Sequence, residues 1–239
     1  MRKHIPNILT IINLLCGCLA IYCLFFDHIE WALILFAGSN IADFLDGMSA
    51  RMLKSNSPIG RELDSLADVI SFGVSPSTVL FIILAKHFTI DLQYPDINIL
   101  KAVPAYLFAA FAAIRLAKFN IDTAQTDHFK GLPVPSASIF VFGILCIYHF
   151  NALNLTHEAS KPFFIYVTIC ALCTLMVSRI PLFGLKFKHF GWKGNQAQYV
   201  FLILCVLAAV LFKEASLSLI VLVYIVLSLL MKKYFLVKK

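Results

Sequence analysis

Apolar residues run through this chain in eight blocks, at about Ile8–Phe26, Trp31–Arg51, Leu63–Ala85, Ile99–Phe119, Pro133–Leu153, Pro162–Ile180, Ala197–Phe212 and Ser216–Leu236. Each is close to the ~20 residues that a helix needs to cross a hydrocarbon core of ~30 Å. The polar stretches between them are short. The pattern therefore predicts an all-α integral membrane protein with eight spanning helices, the seventh being the shortest. No tandem repeat, long linker or low-complexity segment interrupts it, so residues 1–239 read as one membrane domain.

Composition agrees, with 60% hydrophobic and 14% charged residues. Of the twenty Lys and Arg residues, all but Lys86, Lys101, Lys161 and Lys213 fall on the side of the N-terminus when the eight blocks are threaded alternately. That bias places both termini in the cytoplasm. It also assigns the net charge of +7 to topology and anionic lipid headgroups rather than to nucleic acid. The opening Met1-Arg2-Lys3-His4 resembles the start of a secretion signal, but Asn7 and Asn13 interrupt the apolar run and no A-x-A-like site follows. The first helix is expected to be retained. All seven cysteines lie inside the blocks, Cys170-x-x-Cys173 included, and read as packing residues.

Polar chemistry is unevenly spread. Asp43, Asp46, Asp64 and Asp68 occupy the pattern D-x-x-D-G-x-x-A-R-x8-G-x3-D-x3-D. A carboxylate at the centre of a spanning helix costs roughly 2.5–3.5 kcal/mol, so four together demand compensation. At ~100° per residue, Asp46, Gly47 and Ala50 fall at about −60°, +40° and −20° from Asp43, all on one face. Asp64 and Asp68 are one turn apart, and Ser71 and Ser75 extend their stripe inward. The stretch from Met52 to Arg61, with Ser55, Asn56, Pro58 and Gly60, is turn chemistry. Helices two and three thus form a hairpin with a cytoplasmic tip, and its two aspartate pairs face each other.

Four carboxylates suit two hard divalent cations, Mg²⁺ or Mn²⁺, as used for displacement at phosphorus. Gly47 and Ala50 leave room beside them for a bulky group, and Arg51 offers a fork for phosphate oxygens. Two other readings compete. In one the acids form a salt-bridge cluster with Arg51, Lys54 and Arg61; in the other they line the path of a divalent-cation transporter. The first must treat the helical spacing as chance, and the second lacks a matching acidic cluster deeper in the membrane.

The eight fixed positions Asp43, Asp46, Gly47, Ala50, Arg51, Gly60, Asp64 and Asp68 resemble the signature of the CDP-alcohol phosphotransferase family. The resemblance implies a six-helix core over about residues 5–190, two divalent metals, and transfer of a substituted phosphate from a CDP-linked donor to an alcohol with release of CMP. The last two helices would then be additions, with lipid packing or dimer contact as their use. The run from Glu62 to Pro76 resembles the bacterial and archaeal branch that uses CDP-diacylglycerol and L-serine. Pro6-Asn7-x-x-Thr10-x-x-Asn13, Arg115-Leu-Ala-Lys118-Phe-Asn120 and Gly131-Leu-Pro133-Val-Pro135 fit the same branch. Inositol phosphate, glycerol 3-phosphate and choline are the alternative acceptors.

Carried over by position, Asp43, Asp46, Asp64 and Asp68 would hold the metals, with Asp68 as general base. Gly47, Ala50 and Arg51 would line the CDP pocket, and Gly60 would let its loop close. Asn7, Thr10 and Asn13 share a face of the first helix and would hydrogen-bond cytidine or a neighbouring helix. Arg115, Lys118 and Arg179 are the candidate partners of the serine carboxylate, with Ser71 and Ser75 near the bound alcohol. Lys130, Lys186, Lys188 and Lys193 read as headgroup anchors, and the scattered histidines carry no chemistry. The resemblance also implies a homodimer in the cytoplasmic membrane of a bacterium, with its active site facing the cytoplasm.

Overall fold

A computed structural model describes residues 4–53, 57–94, 96–121, 128–184 and 195–230. Each of the eight apolar blocks contains a helix among its described residues: α1 (Ile5–Phe25), α2 (Ile29–Met52), α3 (Pro58–His87), α4 (Ile97–Ile121), α5 (Val134–Phe150), α6 (Pro162–Val177), α7 (Gln196–Phe212) and α8 (Ser216–Leu230). Four apolar stretches are long enough to cross a membrane: α1, α3, α4 and the run Gln196–Leu230. That run is broken at Lys213, where φ is 41°. Phe201 and Tyr224, at similar distances on either side of the break, have ring centroids 5.7 Å apart, so α7 and α8 fold back on each other. Helix α2 spans 24 residues but carries Glu30, Asp43, Asp46 and Arg51. Helices α5 and α6 are apolar and shorter.

The chain divides into two compact units, Met1–Phe119 and Asn120–Lys239. In the first, α1 buries Thr10, Asn13, Gly17, Ala20 and Leu24, a stripe at helical spacing. Against it α2 presents Phe36, Ser39, Ala42 and Asp46. The turn between them puts Asp27 at φ 60°, and the His28 amide donates to the Cys23 carbonyl at 2.8 Å. The opposite face of α1 leaves Ile8, Leu15, Leu19 and Tyr22 exposed, as a lipid-facing surface requires.

Helix α3 is the centre of this unit. Every residue from Ser75 to Ala85 is buried. At 30 residues it is about 45 Å long, more than the hydrocarbon core needs, so its polar first turns have room at the membrane face. It begins five residues before the apolar block because the Ser57 hydroxyl accepts from the Gly60 amide at 2.9 Å and Pro58 occupies the first turn, where a missing N–H costs nothing. Directly after Asp68 it widens into a π-turn, Val69–Val74. Gly17 lets α1 lie against that turn, since a Cβ there would sit 2.8 Å from the Ser71 Cα.

The second unit is helical as expected and adds one short ribbon. Strands β1 (His128–Lys130) and β2 (Pro181–Phe183) pair antiparallel. Neither has the length or alternation that marks a strand in sequence. The ribbon continues into Gly131, whose amide donates to the Ile180 carbonyl at 2.9 Å, while the Leu132 amide donates to Leu175 O at 3.0 Å. Gly131 has φ 77°, and a Cβ would lie 2.6 Å from the Met176 carbonyl oxygen. Only glycine fits where the Gly131-Leu132-Pro133 segment crosses the end of α6.

Helices α7 and α8 make specific contacts within the second unit. Helix α8 packs against α5 and β2, burying Ser216, Ser218, Val221, Tyr224 and Ser228. The Ser218 hydroxyl donates to Phe140 O, the buried Tyr224 hydroxyl to Phe183 O, both at 3.0 Å, and the Gln198 amide to Gly184 O at 3.1 Å. Phe183, Phe201 and Tyr224 stack their rings edge-on around these bonds. Ser218, which looked incidental in an apolar block, is an interhelical contact. The expected consequence of Tyr224→Phe, which leaves a buried carbonyl unpaired, is a loss of about 1–3 kcal/mol, read as a lower melting temperature in detergent. An unchanged melting temperature would mean that α8 is not anchored through this bond.

Candidate active site

The hairpin expected from sequence is present, and it brings the acids together. Asp43 on α2 and Asp64 and Asp68 on α3 each place a carboxylate oxygen within 4.8 Å of the others. Asp43 and Asp68 are within hydrogen-bonding reach of each other. Asp68 is 9% exposed and Asp46 5%, with Asp43 and Asp64 half-buried. Asp46 stands outside the trio, on the wall of an adjoining cavity that it shares with Asp64.

No ion pair to any of the four is found among the described residues. Arg51 turns its guanidinium back along α2 toward Gly47, and Arg61 is exposed at the cavity. The salt-bridge reading therefore finds no support in Arg51 or Arg61, while Lys54 lies outside the described residues. At an effective dielectric of ~20, two carboxylates 4.8 Å apart repel by about 3 kcal/mol. Three such pairs, all from oxygen-only donors, are what a hard divalent cation relieves, so the donor set fits Mg²⁺ or Mn²⁺.

The cavity measures about 430 Å³, within the range of small-ligand sites. Three elements wall it: Pro6, Asn7 and Thr10 from α1; Asp46, Gly47 and Ala50 from α2; and Ser57, Gly60, Arg61 and Asp64 around the start of α3. At Gly47 an added Cβ would meet nothing nearer than the Arg51 guanidinium at 3.7 Å, so glycine here leaves cavity space that a side chain would fill. At Gly60 a Cβ would come within 2.8 Å of the Ser57 hydroxyl and 3.0 Å of Asn7 Oδ1. That glycine lets the first turn of α3 close against α1.

Thr10 Oγ1 lies 2.7 Å from Asp46 Oδ2 and 3.0 Å from its own helix carbonyl at Pro6. The Asn13 amide donates to Asp68 Oδ1 at 3.3 Å. Ser71 donates to the main-chain oxygen of Asn13 at 2.9 Å, and Ser75 is fully buried. Arg115 is 7% exposed, with its guanidinium 4.9 Å from the Phe119 ring centroid, and Lys118 is exposed one turn on. None of Ser71, Ser75, Arg115 and Lys118 lines the cavity. Arg179 belongs to the second unit, exposed between α6 and β2. Three cavity residues were not singled out as site residues. Pro6 stood only within the Pro6-Asn7-x-x-Thr10-x-x-Asn13 motif, Ser57 only within the turn stretch and Arg61 only as a salt-bridge partner for the acids, although Arg61 lies three residues before Asp64 on the same helix face.

The CDP-alcohol phosphatidyltransferase family model matches residues 3–231. The chain belongs to this family. Among its relatives are three proteins named CDP-diacylglycerol–serine O-phosphatidyltransferase. The one from Bacillus subtilis strain 168 is 36% identical over 188 residues, covering 79% of this chain and 92% of the relative. That from Helicobacter pylori 26695 is 34% identical over 194 residues, covering 78% and 74%. The Methanocaldococcus jannaschii protein is 30% identical over 196 residues, covering 76% and 87%. The chain is thus a phospholipid-synthesis enzyme of the CDP-alcohol phosphatidyltransferase family, with membrane-spanning helices, and the acidic hairpin lies within the matched residues.

Crowded carboxylates give a stability signature. Replacing Asp64 by Asn removes one charge from the trio and is expected to raise the stability of the metal-free protein by roughly 1–3 kcal/mol while abolishing stabilisation by added Mn²⁺. Thermal unfolding with and without Mn²⁺ reads both effects. A destabilised, still Mn²⁺-responsive variant would show that Asp64 is held by protein contacts instead.

Proposed function

We propose that this chain transfers the phosphatidyl group of CDP-diacylglycerol to the hydroxyl of L-serine, yielding phosphatidylserine and CMP. The observation that carries the reading is the convergence of Asp43, Asp64 and Asp68 within 4.8 Å beside a cavity of about 430 Å³ walled by Asp46, Gly47 and Ala50. The names and coverage of the relatives support the choice of donor and acceptor. Eight helices cross the cytoplasmic membrane with both termini inside, and the acidic hairpin opens to the cytoplasm. Lysine and arginine placement supports this orientation.

Asp43, Asp46, Asp64 and Asp68 hold two divalent cations, Mg²⁺ or Mn²⁺. When bound, these supply Lewis-acid neutralisation of the diphosphate. The cavity takes the CDP moiety, with Gly47 and Ala50 making room against α2 and Asn7 and Gly60 closing the opposite wall. Arg51 and Arg61 offer guanidinium forks to phosphate oxygens at the cytoplasmic mouth. Asp68, the most buried member of the trio, accepts the proton from the serine hydroxyl as that oxygen attacks the phosphorus bearing diacylglycerol. CMP leaves from the opposite side. Arg115 and Lys118 are the cations proposed for the serine carboxylate, and Ser71 acts through α1 rather than on the alcohol.

The test is incubation of the purified protein with CDP-diacylglycerol, Mn²⁺ and labelled serine, glycerol 3-phosphate, inositol phosphate or choline in turn. Label is expected in phosphatidylserine with equimolar CMP, and none after chelation. Label entering lipid from another acceptor, and not from serine, would overturn the assignment. Direct displacement also predicts inversion at a chiral thiophosphoryl donor. Net retention would require a phosphatidyl-enzyme.

A further inference from the structure

We infer that helix α1 is the positioning element of the acidic site, with Thr10 holding Asp46 and Asn13 holding Asp68. This rests on reading the four acids as cation ligands. Thr10 and Asn13 are three residues apart and share one face of α1. They reach the two different arms of the hairpin, Thr10 to α2 at 2.7 Å and Asn13 to α3 at 3.3 Å. One rigid helix thereby registers an aspartate from each arm.

The chemistry of the two donors suits that task. An aspartate carboxylate rotates through a broad terminal torsion, and a donor on one oxygen fixes its plane while leaving the other oxygen open. Hydroxyl and amide are neutral, so they orient the carboxylates without cancelling the charge that attracts a cation. A lysine or arginine in either place would compete with it. Outer-shell donors of this kind tune the affinity of metal ligands.

Helix α1 is itself held in place. The Ser71 hydroxyl, three residues beyond Asp68, bonds the Asn13 main-chain oxygen at 2.9 Å, closing a loop from Asp68 through Asn13 and back to the π-turn. Gly17 keeps the two backbones close enough for this bond. Asn13 is fully buried, yet its Oδ1 has no hydrogen-bond partner among the described residues. A buried amide satisfied at one end only is a poor device for stability, and an apolar side chain would serve the fold as well. Its use is the bond to Asp68.

The experiment is Mn²⁺ titration of the purified full-length protein by calorimetry, without lipid substrate, for the parent, Thr10→Val, Thr10→Ser and Asn13→Ala. Val and Thr are close in size, so a packing role and a hydrogen-bonding role separate. Thr10→Val and Asn13→Ala are each expected to weaken Mn²⁺ binding by about 10-fold or more, and Thr10→Ser by less than about two-fold. Melting temperatures of the metal-free variants are measured alongside, so that a loss of fold is told apart from a loss of Mn²⁺ affinity. Mn²⁺ affinity within two-fold of the parent in Thr10→Val or in Asn13→Ala overturns the inference. A parent that binds no Mn²⁺ would instead defeat the reading of the acids on which this one stands.

Discussion

Mutual repulsion among carboxylates gathered in an apolar helical hairpin is the constraint around which the first unit is organised. Asp43, Asp64 and Asp68 sit closer together than ionised acids tolerate, and no described Lys or Arg neutralises them. Such a cluster, built on the two packed arms of a helical hairpin, is a donor set that fits a hard divalent cation. The contacts that hold it in place follow from that demand. They include the small residues of α2, the buried length of α3, the π-turn beyond Asp68 and the polar face of α1.

These elements divide the work. Helix α3 supplies rigidity, because its second half is buried on all sides and cannot rotate to relieve the acids. The end of α2 supplies access, since Gly47 and Ala50 leave space that larger side chains would fill, while Gly60 lets the first turn of α3 close against α1. In the second unit the same economy appears without charge. Carbonyl oxygens at the end of α6 and along β2 are satisfied by Gly131, Leu132, Tyr224 and Gln198, so an irregular segment carrying Arg179 is tied on two sides.

Much of this was legible in the sequence, for identifiable reasons. Apolar blocks of membrane-crossing length announce helices, and acids at helical spacing beside glycine and alanine announce a facing cluster. Fixed spacing across Asp43 to Asp68 carried the family. What stayed hidden depends on tertiary register. A π-turn needs one extra residue in a helical repeat and leaves no composition signature. The ribbon is three residues long on each side, below the length at which alternation can be recognised. Ser218 and Tyr224 of α8 lay in a block that read as lipid packing or dimer contact until their acceptors on α5 and β2 were visible. Thr10 and Asn13 could be placed on one face of α1, but not assigned to Asp46 and Asp68 until the helices were docked.

Electron paramagnetic resonance of Mn²⁺ bound to the purified protein tests the central claim most directly. Two cations held by shared carboxylates lie within ~4 Å and couple magnetically. The account predicts an exchange-coupled signal at two equivalents of Mn²⁺ that disappears when Asp43 and Asp64 are replaced by alanine. An uncoupled six-line spectrum that survives the double replacement, from a protein that still releases CMP, would contradict it.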